Sequence, residues 1–195
     1  QQQQQQQRQQ LQQRQQEQSL SNHDNGGVRT VFVDLGASLN FAFHRSDTPA
    51  LDLIQLYQKF GIYFDHIYAY EAQHQPPAKV FQAVPEHLLA SYHWINVGVQ
   101  VSPHHKLHPW KLLARHYRPG DFVVVKLDID TTEIELALID QLLRNQTLLD
   151  LVDVFYFEHH VSFEELLPTY TESAQKSLQL FTELRRRGVA AHYWV

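Results

Sequence analysis

The residues of this chain that could do chemistry fall at the ends of apolar runs. Asp34 and Gly36 close VFVDLG, and Glu71 closes DHIYAYE. Asn96 and Gly98 interrupt WINVGV, and Glu158, His159 and His160 follow VDVFYF. Lys126, Asp128 and Asp130 alternate along FVVVKLDID. An unpaired carboxylate beside buried apolar residues is costly, so five such run ends in succession point to a shared site. Asp34-x-Gly36 suits a loop whose backbone approaches a ligand closely, because glycine carries no Cβ. One carboxylate accepts two hydrogen bonds, so Glu71 suits the paired hydroxyls of a ribose. The two together favour an adenosine-type cofactor. Lys126 in a valine-rich run calls for an acidic partner. Glu158, His159 and His160 leave three uses open: metal ligands, a proton-accepting pair, or hydrogen-bonding struts. Without cysteine, any ion held here would be hard or borderline.

The elements that must position these residues alternate. Strands are expected at residues 31–35, 65–71, 94–99, 122–130, 152–161 and 189–195. Helices are expected at residues 48–60, 110–117 and 173–187, with one or two short ones over 76–91. Thr132 to Glu135 has capping-box spacing, and Ile134, Leu138 and Leu142 continue one helical face. Near-continuous apolar strands separated by helices predict an α/β domain. Its sheet is doubly wound, Rossmann-like and mainly parallel, with helices on both faces. Ligands of such sheets bind beyond the carboxyl ends of the strands, where the polar residues lie.

Composition sets the outer limits. The chain has 195 residues and a formal net charge of -5, which argues against a nucleic-acid module. Residues 1–27 are a glutamine-rich, disordered tail and linker, too polar to offset their ordering entropy. Residues 28–195 form the domain. No apolar run reaches the ~18 residues of a membrane span. Without cysteine, disulfides and a thiol nucleophile are excluded. Without methionine, the chain reads as a fragment or processed form, so localisation and any upstream anchor stay open. His104, His105 and His108 read as a surface cluster, Arg185 to Arg187 as a solvated helix end, and the three tryptophans as packing.

In order, VFVDLG, YAYE, NVGV, KLDIDTTE and EHH resemble the spaced motifs of FkbM-type methyltransferase domains. The likeness covers residues 28–161 and is nearest to algal and protist members. It implies a Rossmann-like enzyme that uses S-adenosylmethionine to methylate a hydroxyl on a sugar, glycan or small metabolite. By that resemblance Asp34, Gly36, Glu71, Asn96 and Asp128 bind the cofactor, Asp34 and Gly36 at its methionine end and Glu71 at its ribose. Glu158 and His160 face the acceptor, with His160 or Asp130 as base and no metal. The chain departs from the family at Leu39-Asn40, where a further glycine is usual, and at Asp130-Thr131, where Glu-Gly is usual. It also ends before the last antiparallel strand of many methyltransferases, so the domain reads as shortened at its C-terminus. Two alternatives remain beside this one. One is a methyltransferase-like binding module without activity. The other is a metal-dependent hydrolase or transferase built on Asp128, Asp130, Glu158 and His160. The oligomeric state is left open.

Overall fold

The computed structural model describes residues 27–38, 49–162 and 172–194. The glutamine-rich tail expected at the N-terminus lies outside them, apart from Gly27. Six strands form one sheet: β1 (Thr30–Leu35), β2 (His66–Tyr70), β3 (Tyr92–Ile95), β4 (Phe122–Leu127), β5 (Val154–Phe157) and β8 (Ala190–Tyr193). Their spatial order is β3-β2-β1-β4-β5-β8, and every neighbouring pair is parallel. A separate two-stranded pair joins β6 (Val161–Ser162) to β7 (Glu172–Ser173). The chain order reverses between β1 and β4, which makes their carboxyl ends the switch point of an α/β Rossmann-like fold.

Strand alternation divides the core in two. Val31, Val33 and Leu35 of β1 face one side, with Val123, Val125 and Leu127 of β4. That side is covered by α3 (Pro109–His116), α4 (Thr132–Arg144), α5 (Gln146–Leu149) and α6 (Ala174–Arg186), through Trp110, Leu113, Leu138, Leu142, Leu148 and Phe181. Phe32 and Val124 face the other side, under α1 (Pro49–Lys59) and α2 (Pro77–Ala83), which contribute Leu51, Ile54 and Val80. The sheet is therefore covered by helices on both faces.

Several expected boundaries move, the fifth strand among them, which spans Val154–Phe157 rather than residues 152–161. The third strand lies at Tyr92–Ile95 rather than over residues 94–99, because the Asn96 side chain is committed to the backbone of the loop after β2. The fourth ends at Leu127, three residues early, and Asp130 turns back with φ +58°. The capping box does not form: Thr131 is the N-cap of α4, without a side-chain cap bond. Glu135 accepts instead from the Ile129 N–H at 2.8 Å, fastening the turn after β4 to the helix. No helix among the described residues is long and apolar enough to cross a membrane.

Candidate active site at the strand ends

Gly36 brings β1 and β4 together at the switch point. Its φ is +92°, and a Cβ there would lie 1.5 Å from the Asp128 carbonyl oxygen. Only glycine tolerates both the backbone conformation and the approach. The Gly36 and Ala37 N–H groups both donate to the Tyr70 carbonyl, so the loop after β1 is anchored on β2 as well.

A cavity of about 130 Å³ opens beside this crossing, lined by Gly36, Ser38, Glu71, Gly98, Asp128 and Asp130, among others. Glu71 stands on its wall, just beyond β2, with one carboxylate oxygen accepting from the Gln73 N–H. Asn96, expected among the cofactor ligands, acts on this wall from behind. Its amide donates to the Glu71 and Gln73 carbonyls and accepts from the Gln75 N–H, so it shapes the loop and does not line the cavity.

Asp34 is not on the cavity either. It pairs in register with Lys126 across β1 and β4, and both side chains are only 4% exposed. Lys126 Nζ reaches Asp34 at 3.0 Å, Asp128 at 3.1 Å and the Gly36 carbonyl at 3.1 Å. The expected loop-framing acid is thus part of a buried ion cluster under the site. Burial disfavours the lysine charge, but the two carboxyl groups outweigh it and hold the pKa above that of a free lysine. Burial raises the Asp34 pKa, against the pull of Lys126.

Asp128 joins this cluster to the site. Burial works against its charge, but hydrogen bonds with Glu158, Lys126 and the Trp194 indole, together with the lysine charge, keep its pKa below the usual range. Glu158 takes the opposite share. Burial and its hydrogen bond with Asp128 push it up to about 8, so the pair holds one proton at neutral pH. Glu158 and His160 turn toward Asp130, with His160 Nε2 3.2 Å from Asp130 Oδ1 and 4.0 Å from Glu158 Oε2. His159 turns the other way. Its ring stacks on Phe157 and its Nδ1 bonds the Ser177 hydroxyl at 2.9 Å, so it is a strut.

The pair predicts a pH dependence of stability. A carboxyl whose pKa rises on folding favours the fold while it keeps its proton. The Glu158 contribution is complete below its unfolded value of 4.5 and is lost as the pH climbs through about 8. In chelator-treated protein, the urea midpoint should therefore decline across that window. The decline should flatten in Glu158→Gln, whose amide cannot titrate. An unchanged profile in the variant would show that Glu158 is not the proton holder.

Of the expected site residues, Gly36, Glu71, Asp128 and Asp130 line one cavity, and Glu158 and His160 gather beside Asp130. Trp194, read from sequence as packing, bonds Asp128 at 3.1 Å and lies over the Lys126 ammonium at 5.4 Å. Its signal was its position, a polar-edged aromatic at the carboxyl end of the last apolar run. Of the loop histidines, His108 is buried, with its Nε2 on Gln141 at 2.8 Å. Arg186 and Arg187 are held by Glu183. No protein-family model, curated protein or solved structure matches the chain.

Proposed function

We propose that the chain is an S-adenosylmethionine-dependent methyltransferase acting on a hydroxyl of a sugar or small metabolite. The observation that carries this reading is the Glu71 carboxylate on the wall of a cavity at the switch point, together with Gly36 and Asp128. A carboxylate just beyond the second strand of such a sheet is suited to the vicinal hydroxyls of a ribose. The cavity lies below the ~300–1,000 Å³ that enclose a drug-sized ligand, so these walls suit the ribose end alone. Residues 39–48 follow directly on Ser38 in the sequence.

S-adenosylmethionine, when bound, supplies a methyl group on a cationic sulfur. The chain's own residues hold and orient. Asp128 keeps a negative charge on the cavity wall, suited to a cationic ligand group. Orientation of the two reactants is worth up to ~7–11 kcal/mol in well-aligned systems. An acceptor hydroxyl that gains the methyl group must lose its proton. Asp130 faces the cavity with His160 Nε2 beside it to orient it, and the Asp130 carboxylate accepts that proton, a contribution of ~10²–10⁴-fold.

Calorimetric titration with S-adenosylhomocysteine tests the reading. Binding in the micromolar range, about -8 kcal/mol, is expected. Glu71→Ala should weaken it at least tenfold with an unchanged circular dichroism spectrum, because the side chain serves no packing role. Equal affinity in the variant would remove the ribose assignment. Absence of binding by folded wild-type chain would favour a binding module without methyl transfer.

A further inference from the structure

Asp130, Glu158 and His160 come from the ends of two neighbouring strands and each offers one donor atom, all within 4.8 Å of one another. The imidazole nitrogen lies 3.2 Å from the Asp130 oxygen and 4.0 Å from the Glu158 oxygen. Around an ion with ligand distances of ~2.1 Å, neighbouring octahedral donors stand about 3.0 Å apart and opposite ones about 4.2 Å. Both separations from the imidazole fall between about those two values, as two donors on one ion would.

The charge around them points the same way. Lys126 is committed to Asp34, Asp128 and the Gly36 carbonyl. Among the described residues, neither Asp130 nor Glu158 is salt-bridged to a lysine or arginine. Asp130 is also part of the cavity lining, so the trio adjoins the cavity through that residue.

We propose that Asp130, Glu158 and His160 bind one divalent cation at the mouth of the cavity and that its open positions take an oxygen of the acceptor. Two carboxylates and one imidazole suit a hard or borderline ion, of the Mg²⁺, Mn²⁺ or Zn²⁺ kind. An oxygen held on such an ion gives up its proton more readily, and Asp130, 82% exposed, stands on the route to water. The ion site stands on its own geometry; only the acceptor's place on it rests on the methyltransferase reading.

Mn²⁺ is the probe, followed by electron paramagnetic resonance on the full chain stripped with chelator and free of nucleotide. One ion per chain is expected, with a Kd in roughly the micromolar range, and Mg²⁺ should compete for it. Asp130→Asn keeps a residue that tolerates the positive φ, so the chain should fold; it and His160→Gln should each weaken Mn²⁺ binding at least tenfold. His87→Ala, on the exposed turn after α2, should leave it unchanged. No stoichiometric ion, or an ion whose affinity survives both site substitutions, overturns the proposal. S-adenosylhomocysteine titration of the same metal-free protein separates the two readings. S-adenosylhomocysteine binding by a chain that takes up no Mn²⁺ sinks the ion site alone, and Mn²⁺ binding by a chain that takes up no S-adenosylhomocysteine sinks the methyltransferase reading alone.

Discussion

Lys126→Met should lower the unfolding free energy by about 3–5 kcal/mol, the usual cost of removing one partner of a buried ion cluster. Asp34 and Asp128 would be left in the interior without their cation, and the Gly36 carbonyl would lose its donor. The loss should shrink toward acid pH, where both carboxyl groups are neutral and no longer need the ammonium. Adding Asp34→Leu to Lys126→Met should recover part of the stability, since a neutral pair of similar size fits an apolar strand interior. Urea unfolding of the two variants at neutral and acid pH measures all of this. A single variant within about 1 kcal/mol of wild type would demote the cluster to the rank of a surface ion pair.

Gly36→Ala should be as damaging, at about 2–5 kcal/mol. Overpacking costs ~1–3 kcal/mol and left-handed backbone at an L residue ~1–2 kcal/mol more. The added methyl would meet the Asp128 carbonyl at 1.5 Å, so either β1 or β4 must yield where the cavity begins. Gly61→Ala is the control, because Gly61 has φ +79° but nothing within 4 Å of a Cβ. It should lose only the backbone part. S-adenosylhomocysteine binding should also fall in Gly36→Ala and persist in Gly61→Ala. Equal losses of stability in the two variants would show that the contact with β4 contributes nothing.

The parallel sheet was legible because each strand carries its own apolar run and the runs before the last are closed by a glycine or an acid. The grouping of Gly36, Glu71, Asp128 and Asp130 on one cavity followed from the rule that such sheets bind at their carboxyl ends. The role of Asp34 did not follow. An acid at a strand end looks the same whether it faces a ligand or a lysine on the next strand. Only the register, Asp34 opposite Lys126, decides. Asn96 was misjudged for a similar reason, since an amide at a strand end can serve the backbone of the loop after the neighbouring strand. Glu135 has the spacing of a capping residue, yet its partner is an N–H six positions earlier. That bond depends on the turn at Asp130, whose positive φ has no signature in an Asp-Thr-Thr sequence. Trp194 reaches Asp128 across 66 positions, a distance over which periodicity carries no information.

The pairing of β1 with β4 also says when in folding this site comes into being. Asp34 and Lys126 are 92 positions apart, and β1 cannot gain its second neighbour until that length of chain has closed on itself. Loop closure over such a span is entropically unfavourable and is repaid only by contacts made afterwards. The β1–β2 pair can form from nearby segments, so it has no such wait. The Lys126 cluster, the Gly36 crossing and the cavity wall at Asp128 therefore belong to the late part of folding. A chain stalled before β4 docks would hold the Glu71 wall and lack the wall at Asp128, and the open edge of β1 would be free to pair with another strand.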